Sequence, residues 1–114
     1  MFENFLNKLV EVKIDRPLGS SHPKFKNCIY TINYGFVPNV FAGDNEELDA
    51  YVLRVDKPIK KFMGKVVAII KRKNDVEEKL VVMPQDNCQN VTKEEILEKT
   101  FFIEKYFETE IIME

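Results

Sequence analysis

The order of the predicted elements, five extended segments before one late helix, most constrains the fold of this chain. Residues 10–15 alternate Val10, Val12 and Ile14 with charged side chains, the pattern of a half-buried β-strand. Four more runs are rich in β-branched residues or otherwise extended in pattern; they are residues 28–39, 48–55, 64–73 and 79–84. The sequence therefore predicts five strands.

A helix is predicted only near the C-terminus. Thr92 followed by Glu95 forms a capping box. The residues that then follow a 3.6-residue period are Ile96, Leu97, Thr100, Phe101, Glu104 and Phe107. Strands followed by a helix predict an α+β fold: a small OB-like five-stranded β-barrel with a C-terminal α-helix. Phe2, Phe5, Leu6 and Leu9 add a short N-terminal helix. No linker or repeat divides residues 1–114, so we expect one domain.

Composition excludes several classes of function. The 114 residues are 45% hydrophobic and 32% charged, as in folded globular proteins. A formal net charge of -2 gives no basic surface for nucleic acid or an anionic membrane. No apolar run reaches the roughly 20 residues that span a bilayer, and the first ten residues lack the layout of a signal peptide. We therefore expect a cytoplasmic protein with reduced cysteines, no nucleic-acid partner and no membrane partner.

Acidic side chains are concentrated in residues 44–49, DNEELD. Carboxylates crowded together repel one another, whereas a hard divalent cation prefers oxygen ligands. A second acidic cluster, Asp75, Glu77 and Glu78, lies between two predicted strands. Two such clusters at one end of a barrel predict a site with two or more metal ions, as used for displacement at phosphorus. The alternative interpretation is that both are ordinary solvated turns.

Five segments, in chain order, carry a family resemblance. Residues 14–16 read IDR, 30–38 YTINYGFVP, 44–49 DNEELD, 77–84 EEKLVVMP and 101–106 FFIEKY. Together they resemble the signature segments of the soluble family I inorganic pyrophosphatases. The resemblance implies hydrolysis of pyrophosphate to two phosphates by a metal-activated water. It also implies Mg²⁺ as the cofactor, with Mn²⁺ suited to the same oxygen ligands.

The resemblance implies roles for the acidic residues. The metal ligands that it implies are Asp44, Asp49, Asp75 and Glu77. Asp49 would bridge to a second metal, and Asn74 is the alternative to Asp75. Glu46 stands where the family has the aspartate that deprotonates the attacking water, and its side chain is one methylene longer. The catalytic residues implied are therefore Glu46 and Asp49.

The resemblance also implies contacts to the phosphate oxygens. The residues are Arg16, Tyr34, Lys79 and Tyr106. Phe107 stands where the family has a helix lysine, and the loop that contains Ser20, Ser21, His22 and Lys24 offers anion contacts that the usual pattern lacks. A salt bridge is the alternative role for Arg16, and a solvent-facing position is the alternative for His22.

Two other functions remain open from the residues alone. One is a catalytically weak module that binds phosphate, pyrophosphate or a metal on the same barrel. The other is hydrolysis of a related phosphorylated compound, with the loop at residues 19–24 reshaping the pocket. Whether the chain forms a homo-oligomer is also left open.

Overall fold

Strands dominate the computed structural model, which describes residues 2–73 and 77–114. The strands are β1 (Leu9–Arg16), β2 (Asn33–Phe41), β3 (Glu47–Val52), β4 (Lys61–Arg72), β5 (Glu78–Met83) and β6 (Thr109–Ile112). A 3-10 turn (Glu3–Phe5) precedes β1, and one α-helix, α1 (Lys93–Glu104), lies between β5 and β6.

The first five strands close into a barrel. Their order is β1-β2-β3-β5-β4, and β4 pairs back onto β1, from Leu9 opposite Lys65 to Lys13 opposite Lys61. The β3–β5 pair is parallel and the others are antiparallel. Closure leaves these strands no free edge within the ring. The predicted five-stranded α+β barrel is confirmed.

The sixth strand, β6, was not predicted. It pairs with β4 outside the ring, with Ile111 opposite Ile70. Only Ile111 of its four residues is buried. So short a run carries little alternation, and its partner lies about forty residues earlier in the chain, which explains why the sequence pattern did not reveal it.

Alternate side chains of the barrel strands enter two apolar clusters. Leu48, Ala50 and Val52 of β3 join one cluster, whereas Tyr51 of the same strand joins the other. The helix residue Ile96 belongs to the second cluster. The helix therefore covers one face of the sheet, and β5 is buried along its whole length between the two clusters.

Helix α1 begins as the capping box predicts. The Thr92 Oγ1 accepts a hydrogen bond from the Glu95 N–H at 3.1 Å. The buried helix residues are Ile96, Thr100 and Glu104. The predicted apolar face was misplaced in part: Leu97 and Phe101 are 45% and 60% exposed, whereas Phe102 and Ile103 pack against the barrel beside the buried i, i+4 row. Phe107 lies beyond the end of the helix.

Among the helices of residues 2–73 and 77–114, none is long and apolar enough to cross a membrane.

The close approach of β1 and β2 depends on a glycine. Gly35 pairs with Ile14. A Cβ atom at Gly35 would lie 1.9 Å from the Lys13 carbonyl oxygen, far inside van der Waals contact. The glycine thus lets β1 and β2 pair beside Tyr34.

Candidate active site

A cavity of about 530 Å³ opens at one end of the barrel, beside the end of α1. Three cationic side chains and three phenols line it: Arg16, Arg72, Lys79, Tyr30, Tyr34 and Tyr106. The four residues predicted to contact phosphate all line this one cavity. Its volume lies within the range of small-molecule sites.

The register of the parallel β3–β5 pair sets the centre of the site. Ala50 lies opposite Leu80 in this pair, so the preceding residues, Asp49 and Lys79, lie side by side. The Lys79 Nζ is 3.6 Å from Asp49 Oδ2 and 3.6 Å from Glu77 Oε1. Lys79 is buried, with a relative exposure of 4%. Lys79 lines the cavity, whereas Asp49 and Glu77 are not part of its lining. One buried ammonium therefore holds two carboxylates beside the cavity.

A buried phenol completes this centre. The Lys79 Nζ donates a hydrogen bond to the Tyr34 hydroxyl at 2.5 Å, and Nζ also lies 4.7 Å from the Tyr34 ring centroid. Burial raises the pKa of Tyr34 far above its usual value, and the negative charge of Asp49 and a hydrogen bond with it raise that pKa further. Tyr34 therefore stays protonated, and its one hydroxyl proton is directed at the Asp49 carboxylate.

A buried ionic network links Glu77 to Glu104 of the helix through Arg72. The Arg72 Nη1 lies 2.5 Å from Glu77 Oε2, while Arg72 Nε and Nη2 donate to the two Glu104 oxygens at 3.1 and 3.0 Å. The Tyr51 hydroxyl donates to Glu104 Oε2 at 2.6 Å. Burial alone would lower the pKa of Arg72, but the hydrogen bonds and charges of its two carboxylate partners outweigh burial and raise it.

Arg72 and Glu104 were not predicted as site residues. Their signal in the sequence is the position of Glu104 on the predicted apolar face of the helix, since a carboxylate buried there needs a buried cation. The partner cannot be identified from the sequence, because Arg72 lies 32 positions away at the end of a strand.

Arg16 has a phenol as its partner. Its Nη1 donates to the Tyr30 hydroxyl at 3.1 Å, and Tyr30 is buried. The ion pairs found within residues 2–73 and 77–114 do not include Arg16, which leaves its guanidinium available to an anion. The neighbouring Asp15, also unpredicted, lies near the site: partial burial raises its pKa, and the charge of Asp49 contributes.

The acidic turn at residues 44–47 lies outside the cavity lining. Asp44 and Glu46 are exposed, and the Glu46 N–H donates to Asp44 Oδ1 at 3.1 Å. Within residues 2–73 and 77–114, no three His, Cys, Asp or Glu side chains are grouped closely enough to hold a metal ion. The metal ligand predicted at Asp75, with its alternative Asn74, lies outside the described residues.

The carboxylates that the structure does bring together are ligands of the type that a divalent cation prefers. Mg²⁺ keeps several water ligands and is commonly bound by one or two carboxylates plus phosphate oxygens. Asp49 and Glu77, both within 3.6 Å of Lys79 and both partly exposed, offer such a pair.

Tyr106 lines the cavity at its rim and is 73% exposed.

Solved structures of bacterial enzymes share the fold. An inorganic pyrophosphatase from Ehrlichia chaffeensis matches with a TM-score of 0.69 and 18% identity, over 95% of this chain and 87% of that one. An enzyme of the same name from Neisseria gonorrhoeae matches with a TM-score of 0.67 and 19% identity, over 88% of this chain and 74% of that one. At such identities the likeness shows the fold.

The family itself is shown by the sequence comparison. No curated protein sequence matches this chain. A family model described as inorganic pyrophosphatase, however, matches residues 7–114, nearly the whole chain. The segments that resemble family I signatures lie within this range, and the cavity brings together the predicted phosphate contacts. The chain therefore belongs to the inorganic pyrophosphatase family, and its activity is the hydrolysis of pyrophosphate.

Proposed function

We propose that pyrophosphate is hydrolysed in the cavity around Lys79, with Mg²⁺ bound by Asp49 and Glu77 and with Mn²⁺ as an alternative ion. The observation that carries the proposal is the pair of carboxylates on one buried ammonium, 3.6 Å from each. Carboxylates beside an anion site repel the anion unless a metal cation lies between them. A site for a metal–pyrophosphate complex would explain why negatively charged carboxylates and a positively charged ammonium lie together.

The side chains of the cavity supply charge and hydrogen bonds for the substrate. Lys79 and Arg16 are cations that donate to phosphate oxygens. The protonated Tyr34 hydroxyl would add a neutral donor once a metal ion, rather than Tyr34, binds Asp49. Tyr106 at the rim is the remaining proposed contact. Such fixed donors stabilise charge that develops on the leaving phosphate. Mg²⁺ bound at the carboxylates would lower the pKa of a coordinated water and neutralise part of the substrate charge.

The proposed proton acceptor is Glu46, and Asp44 is a further proposed metal ligand. Both are exposed on the turn that leads directly into β3, the strand that carries Asp49. Closure of this turn over Asp49 would bring both carboxylates to the same end of the strand. Glu46→Gln should then abolish turnover while Mg²⁺ binding persists. Full activity of this variant would remove Glu46 from the mechanism.

Phosphate release tests the proposed site. Wild-type protein should release phosphate from pyrophosphate with Mg²⁺, and a chelator should stop the release. Asp49→Asn should lower the rate by about 100-fold, the loss typical of a removed catalytic group. Asp56→Asn, the same substitution at an exposed position that is not among the ion-pair partners of Lys79 in residues 2–73 and 77–114, is the matched control and should retain the wild-type rate. Equal rates for Asp49→Asn and the control would contradict the proposed site.

We also propose a cytoplasmic location and a single functional unit over residues 1–114. The free thiols Cys28 and Cys88 support a reducing compartment. Pyrophosphate is the proposed small-molecule partner. Size-exclusion chromatography with light scattering will determine whether the chain forms a homo-oligomer.

A further inference from the structure

We propose that His22 is a substrate-binding residue of this enzyme, whose neutral Nε2–H group donates a hydrogen bond to a phosphate oxygen of the substrate. The proposal rests on the proposed function of the cavity. It gives a role to the loop at residues 17–32, which connects β1 to β2 and contains Tyr30.

Backbone contacts of its own loop fix the tautomer of His22. The imidazole Nδ1 accepts hydrogen bonds from the Lys24 N–H at 3.0 Å and the Phe25 N–H at 3.3 Å. The His22 N–H donates to the Cys28 carbonyl oxygen at 2.9 Å, so both sides of the loop are held together. A neutral imidazole carries one N–H, and an Nδ1 that accepts leaves this proton on Nε2.

Aromatic neighbours hold the ring at the cavity wall. The His22 ring is nearly parallel to the Tyr30 ring, with an interplanar angle of 6° and 6.2 Å between centroids, and it also contacts Phe25 at 5.1 Å. His22, Tyr30 and Arg16 line the same cavity as Lys79. Because Nδ1 faces the loop, the opposite edge of the ring, which carries Nε2, is the edge available to a ligand.

The surroundings of His22 favour its neutral form. Burial lowers its pKa, and the positive charges of Arg16, Lys24 and Lys79 lower it further. A second proton would have to bind Nδ1, where two backbone N–H groups already point. His22 therefore adds a directional donor to a cationic cavity without adding a charge that would repel a bound metal ion.

Two substitutions separate a substrate contact from a structural role in the loop. In His22→Asn, the Oδ1 can accept the same backbone N–H groups as an Asx turn, but no donor reaches the Nε2 position. In His22→Gln, the amide N–H reaches close to the Nε2 position, but the loop loses its acceptor. Each of the two substitutions therefore removes one function of the imidazole and keeps the other.

Opposite results are expected for the two roles. If His22 contacts phosphate, His22→Asn should raise the KM for magnesium pyrophosphate about tenfold or more, the loss of a hydrogen bond to a charged group. His22→Gln should then stay closer to wild type. The reverse order, with His22→Asn near wild type and His22→Gln impaired, would overturn the proposal, because it is the order expected if only the loop contacts matter.

Nitrogen-15 NMR gives a readout that does not depend on activity. His22 is the single histidine of the chain, so its imidazole signals need no assignment. The proposal predicts the Nε2–H tautomer, and a shift of this proton when methylenediphosphonate binds with Mg²⁺. Binding of the analogue, measured by calorimetry, with no change at Nε2 would overturn this proposal alone. No binding of the analogue to wild-type protein would overturn the proposed site as well.

Discussion

Glu104→Gln tests the buried network that supports the site. Glu104 accepts three hydrogen bonds, two from Arg72 and one from the Tyr51 hydroxyl. The Arg72 and Glu104 side chains are 7% and 4% exposed, so water cannot replace a lost partner. Glutamine has nearly the same shape, but it offers one acceptor oxygen and turns an N–H group toward these donors.

The expected loss of stability follows from this burial. Removing one partner of a buried ion pair costs about 3–5 kcal/mol, because the other charge stays buried without full compensation. For a domain of 114 residues, this loss lowers Tm by about 12–20 °C. Activity should fall as well, since Arg72 also holds Glu77 beside Lys79.

Urea unfolding at pH 7, followed by circular dichroism, measures the loss of stability. Glu95→Gln is the matched control on the same helix: Glu95 pairs with Arg54 at 2.7 Å, but its side chain is 25% exposed. Partly exposed ion pairs of this kind contribute about 1 kcal/mol or less to the free energy of unfolding. If Glu104→Gln cost less than about 1 kcal/mol, no more than the control, the argument that a buried charge pair supports the site would be refuted.

Three further substitutions test other parts of the structure. Lys79→Met removes the buried ammonium and should lower kcat/KM about 100-fold or more in a phosphate-release assay; a loss below threefold would contradict its role. Gly35→Ala places a Cβ 1.9 Å from the Lys13 oxygen and should cost more than about 4 kcal/mol in urea unfolding; wild-type stability would show that the strands can separate freely. Thr92→Ala removes the helix cap bond to Glu95 and should cost about 1 kcal/mol by the same measurement; an unchanged midpoint would show that water caps the helix equally well.

Local patterns predicted most of the fold. The alternation in β1 and the capping box at Thr92 are local signals, and both elements formed where the sequence indicated. The parallel pairing of β3 with β5 is not local, because β4 lies between them in the chain, and no period in the sequence reveals it. The strand β6 was missed for the same reason: its stability comes from its pairing with β4.

The candidate site follows from the family resemblance more than from sequence pattern. Tyr34 and Lys79 are 45 positions apart, yet their side chains share a hydrogen bond at the cavity. The motifs that contain them suggested a shared site, whereas composition alone favoured solvated turns. Arg72 was missed because a cation at a strand end usually faces solvent, and its burial depends on Glu104 from the helix.

A crystal structure with Mg²⁺ and methylenediphosphonate tests the central claim most directly. The account predicts one phosphonate group within hydrogen-bond distance of Lys79 Nζ and the Tyr34 hydroxyl. It also predicts the metal ion at the carboxylates of Asp49 and Glu77. An analogue bound outside this cavity, or a metal ion bound without either carboxylate, would contradict the account.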